Sequence, residues 1–167
     1  MAIPGTFRLV WQYDEVVLNG NGVFELGSAF KAKTLKVTNG TVLTHPTNTA
    51  TTVNRLVLDV DDLTIDSTSS IDVTGRGFND SSGGTGRSWD GFTSGSKNTS
   101  GGSHGGEGGG SAPGSSYGSA FNPETPGGAG SAGTCTSCAG GGGVVRIQSR
   151  TLTLDGKILT NGVAANG

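Results

Sequence analysis

Between residues 76 and 143 the chain carries 23 of its 32 glycines, and Ser, Thr, Asn and Pro fill most of the remainder. A tract this poor in side chains cannot bury a core of its own, so the apolar residues that fold the chain must lie in the flanks. A 68-residue loop without structure is uncommon inside a compact domain. Glycine changes that argument: with no Cβ, segments such as Gly101-Gly102-Ser103-His104-Gly105-Gly106-Glu107-Gly108-Gly109-Gly110 and Gly140-Gly141-Gly142-Gly143 can pack backbone on backbone, as polyproline-II-like strands do. The competing reading is a flexible linker. Against it stand Trp89, Phe92, Tyr117 and Phe121, spaced through the tract as anchors for which a linker has no use. An ordered, glycine-packed lobe is expected.

The flanks read as strands. Phe7-Arg8-Leu9-Val10, Val23-Phe24-Glu25-Leu26, Leu35-Lys36-Val37, Leu56-Val57-Leu58-Asp59-Val60 and Leu63-Thr64-Ile65 alternate with period two, with Asn-Gly, Gly-Ser or Asp-Asp between them as turns. After the tract the alternation returns as Val145-Arg146-Ile147, Leu152-Thr153-Leu154 and Ile158-Leu159-Thr160. Apolar residues nowhere recur at three and four over two turns, so no helix is expected.

The two flanks also repeat each other. Leu63-Thr64-Ile65-Asp66 followed by Ile71-Asp72-Val73-Thr74-Gly75 matches Leu152-Thr153-Leu154-Asp155 followed by Ile158-Leu159-Thr160-Asn161-Gly162, and Leu35-Lys36-Val37-Thr38 with Thr41-Val42-Leu43 is an earlier, weaker copy. Strand units of about 20 residues that resemble one another are the signature of a solenoid, because one unit cannot bury its own apolar row. The fold class expected is all-β: a parallel β-helix or β-solenoid with a long glycine-rich insertion between coils, a β-sandwich being the alternative. The expected organisation is solenoid coils over residues 1–75, an insertion lobe over 76–143 and a returning coil over 144–167, together one domain. Residues 160–167 parallel the point after Thr74-Gly75 where the tract begins, so further repeats or end-to-end stacking of chains are expected.

Composition limits function. Only 32% of the chain is hydrophobic and 14% charged, with a net charge of -2. Nothing there supplies the basic footprint that nucleic acid or an anionic bilayer needs. No run approaches the roughly 18 apolar residues of a membrane span, and Met1 to Thr6 lacks the charged and apolar regions of a signal peptide. Cys135 and Cys138 sit in a Gly/Ser/Thr tract and read as a local disulfide, which suits an oxidising compartment. A redox pair at that spacing needs a helix N-terminus to lower the thiol pKa, and zinc would need further ligands than the isolated His45 and His104.

In order, the run Ile71 to Gly77, Ser103-His104-Gly105-Gly106-Glu107-Gly108-Gly109, Tyr117-Gly118-Ser119, Pro126-Gly127-Gly128-Ala129-Gly130, Gly140 to Gly143 and Val145-Arg146-Ile147 resembles the glycine-rich modules of large bacterial, and some protist, cell-surface proteins. The resemblance covers residues 56–167; the order of the pieces carries it, and Cys135-Thr136-Ser137-Cys138 departs from the pattern. It implies a parallel β-helical, extracellular module without enzymatic activity. In composition alone the tract is also similar to the polyglycine-packed tail-tip adhesins of phages.

Two patterns of residues carry a chemical reading beside a plainer one. Asp59, Asp61, Asp62, Asp66 and Asp72 alternate with aliphatics, which describes a solvated strand face; calcium is the sharper alternative, yet no repeated Asp-Gly loop is present. Paired acids at Asp61-Asp62, with His104 and Arg146, stand in the order of a polysaccharide-degrading β-helix hydrolase. His104 inside polyglycine, however, has nothing evident to fix it within catalytic tolerance. The expectation is therefore not an enzyme and no cofactor, but an extracellular or cell-surface structural or adhesive module. Its partners would be glycans or neighbouring surface-protein chains, including further copies end to end, met through Trp89, Phe92, His104 and Tyr117. The hydrolase and the phage tail-tip adhesin are the alternatives.

Overall fold

The computed structural model describes residues 13–49, 51–79, 81, 82, 84–119, 121–131 and 139–164. Its strands are β1 (Tyr13–Asn19), β2 (Val23–Glu25), β3 (Phe30–Thr38), β4 (Val42–Thr44), β5 (Leu56–Ile65), β6 (Ser70–Asp72), β7 (Ser81–Ser82), β8 (Thr85–Gly86), β9 (Val145–Leu154) and β10 (Lys157–Leu159). No helix occurs among the described residues. The long strands form one four-stranded sheet in the order β1-β3-β5-β9, and the short ones form a second in the order β10-β6-β4-β2. Every pairing within these two sheets is parallel. β7 and β8 make a small antiparallel ribbon. The expected strand at Phe7 to Val10 lies outside the described residues.

Chain order explains the topology. Each long strand turns sharply and feeds a short strand of the other sheet, at Asn19 to Gly22, Asn39 to Thr41, Asp66 to Ser69 and Asp155-Gly156. The repeats seen in the sequence lie side by side: Leu35 pairs with Leu63 and Leu63 with Leu152, Val37 with Ile65 and Ile65 with Leu154, and Ile71 pairs with both Leu43 and Ile158. Leu35, Val37, Leu43, Leu58, Leu63, Ile65 and Ile71 are wholly or almost wholly removed from solvent and make the core between the two sheets. Burying each such side chain is worth about 1.5–3 kcal/mol.

The all-β class holds, but the parallel β-helix does not form. Among the described residues the two four-stranded sheets are each open at both edges, and no further regular strand closes them on one another. The reason lies in the returns from the second sheet to the first. These run over residues 26–29, 45–55 and 73–144 and share no common length, and among their described residues the β7–β8 ribbon is the only strand pair. The return at 45–55 is shaped instead by side-chain hydrogen bonds: Asn48 donates through Nδ2 to the Arg76 carbonyl at 2.8 Å, and Asn54 donates through Nδ2 to the Thr47 carbonyl at 3.1 Å. The β-sandwich alternative fails on direction, because that architecture is assembled from antiparallel sheets.

A second departure concerns Asp61-Asp62, expected as a turn. Both lie inside β5, where the strand changes faces: Leu56, Leu58 and Val60 point inward, and so do Leu63 and Ile65 three and five residues after Val60. β3 does the same between Ala32 and Leu35. The register skips Lys33, Asp61 and Arg150 at this level, which marks a bulge-like step running across the sheet. The outer face is polar and laced by Lys31–Asp59 at 3.0 Å, Lys36–Glu15 at 2.5 Å and Arg150–Asp62 at 3.2 Å. Exposed pairs of this kind contribute about 0–1 kcal/mol each, so they mark register more than they add stability.

Asp66 closes the third turn. Its carboxylate accepts from the Asn39 backbone N–H at 2.7 Å, from the Thr68 N–H at 2.9 Å and from the Thr68 hydroxyl at 2.8 Å. The Asn39 amide first, then the Ser69 and Thr68 side chains, hold its pKa at about 2, below the ordinary 3.8. The unfolded chain therefore binds the proton first, and the stabilisation is complete above the unfolded value and lost as pH falls through about 2. Thermal melts of the native chain and Asp66→Asn are expected to differ most near neutral pH and to converge as pH is lowered to about 2; a constant difference across that range would contradict the assignment.

Candidate functional site

The tract between β6 and β9 is built by peptide groups lying on peptide groups. Gly77 N–H donates to Gly141 O at 2.8 Å, Gly141 N–H to Phe78 O at 2.9 Å, Phe78 N–H to Gly127 O at 3.0 Å and Gly127 N–H to Gly142 O at 2.9 Å. Farther out, Gly130 N–H donates to Ala139 O at 2.8 Å, Ser131 N–H to Ser100 O at 2.9 Å and Gly101 N–H to Gly109 O at 2.7 Å. Glycine is required where these segments touch: a Cβ on Gly141 would run into the Gly127 carbonyl, and one on Gly102 into that of Gly128.

Serine takes the place of aliphatic residues in much of the lobe interior. Ser96, Ser100, Ser103 and Ser131 are buried, and each has a backbone partner. Ser96 donates to Ala129 O at 2.8 Å, and Ser103 donates to Pro113 O at 2.8 Å while accepting from Gly108 N–H at 3.1 Å. Buried hydroxyls so satisfied avoid the penalty of about 1–3 kcal/mol that an unpaired polar group carries.

Where the lobe meets the sheets lies a cleft of about 380 Å³, lined by His104, Pro123, Thr125, Gly127, Gly142, Gly143, Val144, Val145 and Thr160. Its size falls within the range of small-ligand sites. His104 is fixed from two sides. Its Nε2 shares a hydrogen bond of 3.0 Å with Thr125 Oγ1, and its ring meets Tyr117 edge to face at 5.0 Å between centroids. Tyr117 in turn donates through its hydroxyl to Pro126 O at 2.7 Å and through its N–H to His104 O at 2.8 Å, and burial pushes its phenol pKa upward. Beside the cleft, Glu124 lies 3.2 Å from Arg146 of β9 and 3.9 Å from Arg55, linking lobe to sheet.

Behind the cleft wall sits His45, wholly buried. Its Nδ1 lies 2.8 Å from Pro46 O and its Nε2 accepts from the Val144 N–H at 3.2 Å, a pattern that requires the neutral ring. Burial lowers its pKa accordingly. A Cβ on Gly143 would press on the same ring, so the polyglycine run and His45 fit each other.

The structure joins two of the four expected contact residues, His104 and Tyr117. Phe92 stands elsewhere, with the Arg87 guanidinium 4.4 Å above its ring, and Trp89 is 59% exposed in the turn closed by Ser88 and Gly91. Phe121, expected as an anchor, is instead fully exposed. Cys135 and Cys138 lie outside the described residues. The residues of the hydrolase alternative are not brought together: Asp62 is paired with Arg150 and sits opposite Thr151, while Arg146 sits opposite Val57, five positions or about 17 Å along the strand. Four of the five acidic residues are spent separately, Asp59 on Lys31, Asp62 on Arg150, Asp66 on its turn and Asp72 on the Thr74 N–H, and Asp61 lies on β5 at the step between the inward Val60 and Leu63. Among the described residues no three His, Cys, Asp or Glu side chains converge as a metal site would need. Sequence reasoning misses Glu124, Thr125 and Thr160; the flanking Pro123 and Pro126, which rigidify their segment, are the signal for the first two, and Thr160 carries none.

No family model matches this chain, and no curated protein or solved structure matches it.

The packing is tested by two alanines. Gly141→Ala must displace backbone and is expected to destabilise by about 1–3 kcal/mol in urea unfolding. Gly105→Ala, with open space around it, is expected to change stability by less than about 0.5 kcal/mol. Equal effects would mean that the lobe is not packed as described.

Proposed function

We propose that the chain is an extracellular structural or adhesive module in which the paired sheets serve as a rigid base and the glycine-packed lobe is displayed for contact with glycans. The observation that carries this reading is the cleft at the seam, where the His104 imidazole, the Thr125 hydroxyl and glycine backbone groups line one concave surface. Hydroxyls and exposed peptide groups are the donors and acceptors that sugar hydroxyls pair with, while Val144, Val145 and Pro123 offer the apolar wall against which a ring can lie. Trp89 and Phe121, exposed on the lobe, supply faces for further sugar rings or a partner surface.

Binding rather than turnover is supported by the same geometry. His104 is committed to Thr125 and Tyr117, and the nearest carboxylate pairings to the seam are ion pairs of Glu124 with arginines. Neither arrangement presents the two opposed carboxyl groups that glycoside hydrolysis uses. The phage tail-tip adhesin alternative asks for the same displayed lobe and rests on composition.

A glycan-array screen of the labelled chain, run beside a reducing-sugar assay, tests the proposal. The expected result is binding to a restricted set of glycans without release of reducing ends, weakened at least about tenfold by His104→Ala, the scale of losing a hydrogen-bonded contact and its packing. Turnover that disappears in Asp62→Asn would replace this reading with the hydrolase, and absence of any glycan binding would remove the ligand class.

A further inference from the structure

Among the described residues, β1 and β2 form one edge of the paired sheets and β9 and β10 the other. An exposed parallel edge offers a row of unpaired N–H and C=O groups to any strand that fits, unless inward charges, proline or a covering segment blunt it. Here the core-facing rows at both edges carry no charge and, but for Ser149, stay apolar. Leu152 and Leu154, in register with the buried Leu63 and Ile65, are 45% and 44% exposed. At the opposite edge Val16 and Leu18 are only partly buried, and Phe24, in register with the buried Leu43, is 38% exposed.

Charge supplies the second observation. At the level where the long strands change faces, the positions stacked across the sheet are Asp14, Lys33, Asp61 and Arg150. The column alternates in sign from β1 to β9, beginning with a carboxylate and ending with a guanidinium. A copy placed edge to edge in the same register would continue the alternation, Arg150 of one beside Asp14 of the next.

We infer that the β9/β10 edge of one copy receives the β1/β2 edge of a second copy, so that the sheets run on from chain to chain. The internal register carried across the junction sets Leu152 beside Val16, Leu154 beside Leu18 and Ile158 beside Phe24, each apolar row continuing its own column. The contact is heterologous, joining two different surfaces, and it grows head to tail into a filament rather than closing as a dimer. Each copy adds four strands, about 19 Å at the usual spacing between neighbours. The inference is independent of what the cleft binds.

Sedimentation velocity of the full chain, from micromolar to about 1 mM, gives the primary test. Average mass is expected to rise with concentration and to fall with added salt as the Arg150–Asp14 attraction is screened. Two variants block one edge each: Asp14→Arg sets like charge against Arg150 of the neighbour, and Leu154→Lys points a charge into the apolar row. Each alone is expected to stay monomeric or to associate at least about fivefold more weakly. An equimolar mixture is expected to form dimers and nothing longer, because each variant retains the edge that the other has lost. Circular dichroism melts matching the native chain confirm that the variants fold; Phe24→Lys and Leu152→Lys replace any that do not. A native chain that stays monomeric throughout overturns the inference, as does a mixture that stays monomeric or a finite dimer formed by either variant alone.

Discussion

Close contact between peptide groups, possible only where Cβ atoms are missing, is the constraint on which the lobe depends. Gly127 stands between Phe78 and Gly142, donating to one and accepting from the other, and Gly141 does the same between Gly77 and Phe78. Glycine loses more conformational freedom on folding than other residues, so such a tract orders only if nearly every backbone group finds a partner. Ser96, Ser100, Ser103 and Ser131 complete that satisfaction by bonding the carbonyls and amides left between segments. Hydrophobic burial contributes little within the lobe itself. Its order is borrowed from the sheets, through Gly143 N–H to Val73 O, Val144 N–H to His45 and Glu124 to Arg146.

The sheets provide the complementary arrangement. Their apolar content is concentrated in columns of leucine, valine and isoleucine between the layers, and the outer faces are left largely to charged and hydroxyl side chains. Parallel sheets usually have both faces covered by helices; this chain has none among its described residues, and it compensates with an alternating polar face and turns fixed by side chains such as Asp66. The cleft is a product of both halves. Val144 and Val145 come from the entry to β9, Gly127 and Gly142 from the interleaved backbones, and His104 and Thr125 from the lobe.

Much of this was legible in the residues. Period two in Leu35-Lys36-Val37, Leu63-Thr64-Ile65 and Leu152-Thr153-Leu154 located strands, and their likeness to one another foreshadowed the pairing of Leu63 with both Leu35 and Leu152. What failed did so for physical reasons. Asp61-Asp62 looks like a turn, yet a bulge-like step lets the same strand change faces and continue. Likeness between strand units says that they can pair but not how the chain returns, and among the described residues the returns are irregular and the two four-stranded sheets stay open where a β-helix was expected. Phe121 was assigned as an anchor by residue type, and type cannot say which way a side chain points. His45 reads in the sequence only as an isolated candidate metal ligand, because its partner, Val144, lies 99 residues away.

Hydrogen exchange resolved to single amides tests the central claim most directly. The account predicts that the N–H groups of Gly77, Phe78, Gly127, Gly141 and Gly143 are protected to an extent comparable with those of β3 and β5, while Gly105, where a Cβ would meet nothing, exchanges far faster. Exchange of the polyglycine amides at the rate of an unstructured chain, with the sheets still protected, would contradict it.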